Sequence, residues 1–166
     1  METKRVDKIN YYLSIAEAVA GRGTCLRKNY GCIIVKNDEI IATGYTGAPR
    51  GRKNCIDLGY CTKKKILPET RHGGYDACRS VHAEQNAIIS ASRKDMIDSK
   101  LYLVGKRKDT GEYEEEANSC QLCRKIIINA GIKEVIVKVN NEQGYKIIEV
   151  KDWIENDDLL EGKTTY

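Results

Sequence analysis

Apolar residues at Val6, Ile9, Leu13, Ala16 and Ala20 recur every three or four positions. That is the spacing of one helix face, so Lys4 to Ala20 is predicted as an amphipathic helix. Tyr30 to Lys36 and Glu39 to Gly44 then read as two short strands. The turn Lys36-Asn37-Asp38-Glu39 joins them as a hairpin. No period runs through Thr46 to Tyr75, which is rich in Gly, basic residues and Cys. A stretch that long inside a compact domain usually has a function, or a metal to hold it. Val81 to Ala91 reads as a second helix and Lys100 to Gly105 as a strand. Lys106 to Asn118 is polar and is expected as an extended hairpin or loop. Cys120 to Ala130 reads as a third helix, stopped by Gly131. Glu134 to Val139 alternates as a strand, Lys146 to Val150 reads as another, and a short helix or tail follows from Lys151.

This order predicts a three-layer α/β/α domain with a mixed five-stranded sheet. One domain over residues 1–150 is expected, with 151–166 as a C-terminal tail or short helix. No repeat interrupts the chain, and 166 residues suffice for a core without disulfide staples.

Composition narrows the function. Met1 to Lys8 is charged and polar, matching no secretory signal, and no apolar run approaches the ~18 residues of a membrane span. A cytoplasmic protein with no membrane partner is therefore expected. The net charge of +4 suits an anionic ligand such as a nucleotide, and equally a plain solvated surface. It is too weak an excess to argue for duplex nucleic acid. Seven cysteines in a reducing compartment read first as metal ligands or catalytic groups, and an odd count fits a disulfide framework poorly.

The chemistry concentrates in His82-Ala83-Glu84 and Cys120-Gln121-Leu122-Cys123, both at expected helix starts. A Cys-x-x-Cys at a helix start puts two sulfurs on the same end, close enough to grip one ion, where free N–H groups favour thiolates. His82, Cys120 and Cys123 make three ligands for zinc and leave a fourth position for water, the mark of a catalytic site. Glu84 is too near His82 to be an easy fourth ligand, yet close enough to move protons to and from that water. H-x-E followed by P-C-x-x-C is the general signature of zinc nucleobase deaminases. Here Ser119 stands in the place of the proline and can act as an N-cap instead. Taken alone, a Cys-x-x-Cys is as readily a redox motif or half a structural zinc site, and His-x-Glu means little. Their order and joint position at two helix starts favour the catalytic reading.

Gly44-Tyr45-Thr46-Gly47-Ala48-Pro49-Arg50-Gly51, Asn54-Cys55, Cys78 to Ile88 and Ile127 to Ile132 together resemble the deoxycytidylate deaminase family. The resemblance runs from about Ile9 to Val139. It implies the cytidine-deaminase-like fold, hydrolysis of dCMP to dUMP and ammonia, a homo-oligomer that is often a hexamer, and dCTP and dTTP as effectors. It also implies that Arg27 meets the substrate phosphate, since an arginine fork suits phosphate geometry. Arg27 reads equally well as an exposed residue after a helix. The resemblance places Thr46, Gly47 and Ala48 in the loop that cradles sugar and phosphate. The family usually has Asn at the position of Thr46, and Thr has no amide to supply the same donor and acceptor. The segment Lys106 to Ser119 is longer and more acidic than the family's connection, with Glu114, Glu115 and Glu116 expected near the site mouth. Some members carry a second, structural zinc. Cys25 and Cys55 match its ligand positions, and Cys61 and Cys78 would complete a Cys₄ tetrahedron. Four unrelated thiols are the other reading. His72 is a possible substitute ligand and otherwise an exposed loop residue, while Cys32 is expected in the core.

Two alternatives stand beside dCMP deamination. One is a deaminase for another cytosine-type base, nucleoside or nucleotide. The other is a non-catalytic zinc protein for nucleotide sensing or DNA uptake, against which Glu84 argues.

Overall fold

The computed structural model describes residues 5–67, 74–114 and 117–156. His72, Glu115, Glu116 and the tail beyond residue 156 lie outside the described residues.

Helix α1 (Lys8–Ala20) starts later than its apolar period suggests. The Asp7 carboxylate accepts the Asn10 N–H and caps it there. Strands β1 (Lys28–Lys36) and β2 (Glu39–Tyr45) form the expected hairpin. Its two turn residues, Asn37 and Asp38, have φ of 50° and 68°. Both positive angles suit the right-handed twist of a tight hairpin, and Asn and Asp tolerate them. The Gly- and Cys-rich stretch is not one irregular loop. It holds helices α2 (Cys55–Leu58) and α3 (Thr62–Ile66) and a 3-10 turn at Tyr75–Ala77. Helix α4 (Ala83–Ile89), helix α5 (Arg93–Met96) and strand β3 (Lys100–Arg107) follow. Helix α6 (Gln121–Ala130), strands β4 (Glu134–Lys138) and β5 (Tyr145–Glu149) and helix α7 (Val150–Glu155) complete the chain. The four-residue α5 carries too few positions to show a period in sequence.

The sheet order is β2-β1-β3-β4-β5, parallel only between β3 and β4. This is the expected mixed five-stranded sheet. Alternation sorts each strand between two helical layers. Ile33, Val35, Tyr102, Val104 and Ile136 pack under α1. Cys32, Ile34, Leu101, Leu103, Val135 and Val137 face the opposite layer, where α4 and α6 lie. Cys32 is buried in the core as expected. Gly44 allows α4 to rest on β2, since a Cβ there would come within 2.1 Å of the Ala83 carbonyl oxygen. That close approach sets where the start of α4 sits. Among the described residues no helix is long and apolar enough to cross a membrane.

Candidate metal centre and its cavity

His82 is the N-cap of α4, and Cys120 is the N-cap of α6. Both therefore sit at the ends where unpaired N–H groups and the helix dipole favour negative charge. Cys123 lies in the first turn of α6 and is buried. The two helices share one layer, so their starts converge. The His82 Nδ1 is 3.4 Å from the Cys120 Sγ and 3.4 Å from the Cys123 Sγ. All three donor atoms lie within 4.8 Å of one another. A tetrahedral zinc with ordinary Zn–S and Zn–N bonds separates nitrogen from sulfur by about 3.5 Å, so this donor set fits that ion.

The electrostatics agree. A hydrogen bond from the Cys123 thiol, opposed by burial and helped by His82 and the Cys123 N–H, brings the Cys120 thiol down to about 4. The same pairing pushes the Cys123 thiol up. A lowered thiol at Cys120 suits it to bind a cation as thiolate. Glu84 is 4% exposed. Burial pushes its carboxyl above the ordinary value, against its own backbone N–H and the pull of His82. The buried Ser119 Oγ, beside that carboxyl, meets no partner at hydrogen-bond geometry among the described residues.

His82, Glu84 and Cys120 line a cavity of about 620 Å³. Tyr30, Tyr75 and Asn118 form more of its wall, and Arg27, Lys28, Lys63 and Lys64 add positive charge. The Tyr75 ring meets the His82 imidazole edge-on, 4.7 Å between centres.

The expected sugar–phosphate loop is held by its own hydrogen bonds. Thr46 lines the cavity, but its hydroxyl is occupied. It accepts the Tyr30 N–H at 3.0 Å and lies 3.4 Å from the Tyr30 carbonyl. Gly47 and Ala48 are not among the lining residues. The Gly47 N–H goes to the Val81 carbonyl and the Ala48 N–H to the Asn54 side chain. Asn54 also receives the Thr24 hydroxyl, so this loop is braced from within. The Gly47–Val81 bridge ties it to the segment carrying His82. Arg27 lines the cavity. Glu114 does not confront a ligand as an open acid, because Lys28 pairs with it at 2.9 Å.

Cys25, Cys61 and Cys78 line the same cavity, and Cys55 is buried nearby. Cys78 feels the charges of Cys25, Cys55 and Cys61, and Cys55 feels those of Cys25 and Cys61. The four are therefore neighbours, though no three of them approach as closely as the His82 group. Tyr30, Tyr75, Lys63, Lys64 and Asn118 were not singled out from sequence. The run Lys63-Lys64-Lys65 was the available signal for two of them.

Residues 6–139 match the family described as the cytidine and deoxycytidylate deaminase zinc-binding region. The chain is similar to the deoxycytidylate deaminase of Mycobacterium phage D29, 32% identical over 133 residues, covering 80% of this chain and 94% of that protein. It is 30% identical to the Schizosaccharomyces pombe deoxycytidylate deaminase over 127 residues, which is 76% of this chain but only 35% of the yeast protein. Its fold is similar to dCMP deaminase from the cyanophage S-TIM5, solved with dCMP and dUMP. The TM-score is 0.56 and the identity 26%, covering 80% of this chain and 83% of that one.

Proposed function

The chain belongs to the cytidine and deoxycytidylate deaminase family, and we propose that it hydrolyses dCMP to dUMP and ammonia. The observation that carries this reading is a buried carboxylate, Glu84, beside a His82–Cys120–Cys123 donor set in one cavity. His82, Cys120 and Cys123 would hold the zinc ion, which would supply the Lewis acidity that makes water a nucleophile near neutral pH. Glu84 takes a proton from the attacking water and gives it to N3 of the cytosine ring. It then carries the second water proton to the departing amine, which leaves as ammonia while the ring becomes uracil. Burial suits Glu84 to both tasks, because it lifts the proton affinity of the carboxyl toward the working pH. Tyr75 and Tyr30 line the cavity beside these groups, and the cations at the cavity favour an anionic substrate.

The test is ammonia release from dCMP, CMP, deoxycytidine and cytosine. Turnover of dCMP is expected to dominate, and turnover of deoxycytidine without dCMP would reject the substrate. Glu84→Gln is expected to lower kcat by at least about 10³-fold while the zinc content stays unchanged. Activity surviving that change would remove Glu84 from the mechanism.

A second, structural zinc bound by Cys25, Cys55, Cys61 and Cys78 belongs to the same reading. Its support is the backbone around the sulfurs. The Arg27 N–H points to Cys25 Sγ at 3.4 Å, and the Thr62 and Ser80 N–H groups hydrogen-bond Cys55 and Cys78. Such amide donors stabilise thiolate ligands. The reading further makes the protein a cytoplasmic homo-oligomer, a hexamer by its family's habit, with dCTP and dTTP as effectors. Sedimentation with and without each triphosphate tests the assembly.

A further inference from the structure

One cation at the cavity is held in place by its neighbours. The Lys63 Nζ lies 5.0 Å from the centre of the Tyr75 ring. Stacking on that ring restrains a side chain that is otherwise flexible. Tyr75 in turn packs against His82 at 4.7 Å, so the ammonium stands within about 10 Å of the imidazole centre. The 5′-phosphate of a mononucleotide stands one sugar away from its base, a comparable span.

The other cations differ. Lys28 is paired with Glu114. Arg27 and Lys64 line the cavity but are exposed, and among the described residues no contact fixes either charged group. Lys63 has no acidic partner among the described residues. It sits on α3, whose N-cap is Cys61, so the thiol-rich region determines where this lysine stands.

We propose that Lys63 is a specificity-determining residue that binds the 5′-phosphate and so makes the site select a nucleotide over a nucleoside. This rests on the dCMP reading above. An ammonium of fixed position forms a charge-assisted hydrogen bond with phosphate, and a nucleoside has nothing to offer it.

The experiment compares wild type with Lys63→Met and Lys63→Arg in two measurements. One is kcat and KM for dCMP and for deoxycytidine. The other is calorimetric binding of dUMP and of deoxyuridine. Lys63→Met should raise the KM for dCMP and the Kd for dUMP about tenfold. The deoxycytidine and deoxyuridine constants should stay within about twofold, and Lys63→Arg should recover most of the loss. A merely structural role through Tyr75 would weaken nucleotide and nucleoside alike, and that result overturns the proposal. So does an unchanged dCMP KM. If wild type itself does not turn over dCMP, the functional reading fails, and this inference fails with it.

Discussion

Thr46 shows how one hydroxyl can be taken from a ligand by the backbone beside it. It is 8% exposed and bridges the N–H and C=O of Tyr30. A substrate contact from this hydroxyl would first have to break those bonds. Thr46→Val keeps the shape and leaves the Tyr30 N–H without its partner. It should cost about 1–3 kcal/mol in denaturant unfolding, because a buried donor left unpaired loses its full solvation. The dCMP kcat/KM should change by less than about threefold, well under the effect of losing one bond to substrate. A large activity loss at unchanged stability would instead make Thr46 a substrate contact. Sequence identified the position but not this role, since the strand register that brings Tyr30 opposite is a long-range fact. Glu84 was more legible, because its two-residue spacing from His82 is local. Its burial was not, since that depends on α6 covering the start of α4.

At the scale of elements, the segment between β3 and α6 was expected as an acidic loop near the site mouth. Part of it is tied away from the cavity. Arg107 and Glu112 close a short turn, and Tyr113 bridges back to Lys106. Glu17 on α1 receives the Lys106 Nζ at 2.8 Å and the Tyr113 hydroxyl at 2.7 Å. Burial pushes the Glu17 carboxyl up, but those two bonds and the Lys106 charge outweigh it and hold the group below 4.5. A depressed folded value means stability that is complete above the unfolded value. It is lost as pH falls through the lower folded one. Stability should therefore decline as pH falls below the ordinary carboxylate range, and Glu17→Gln should flatten that decline. An unchanged slope in unfolding measured across that range would show that the network does not fasten α1 to the turn. The helices and strands themselves were largely visible from period and caps. Boundaries moved where a cap decided them, at Asp7 and at His82. The small helices α2, α3 and α5 were missed because four or five residues cannot display a helical period.

For the whole molecule, two thiol-bearing regions meet at one cavity. The His82–Cys120–Cys123 set joins the starts of two helices, and Cys25, Cys55, Cys61 and Cys78 gather segments up to 53 positions apart. If both hold zinc, elemental analysis of purified protein should give about two ions per chain. Cys61→Ser should reduce that to about one and lower the melting temperature, since a structural ion contributes folding free energy directly. One ion per chain in wild type would leave the four thiols unrelated. Free zinc at a thousandfold excess over its dissociation constant should stabilise the apo chain by about 4 kcal/mol, read as a rise in melting temperature.

The sequence by itself determined the order of the longer elements, the mixed α/β architecture and the placement of His82, Glu84, Cys120 and Cys123 at helix starts. Those are consequences of short-range physics: apolar period, caps and the spacing of donors along a few residues. Tertiary structure decided which ends meet. The sheet order and the shared layer of α4 and α6 bring an imidazole and two thiols together from 41 positions away along the chain. The same packing turned Thr46 inward, paired Lys28 with Glu114 and set Lys63 on Tyr75. No local pattern encodes such contacts, because each depends on two distant segments being buried against a common sheet.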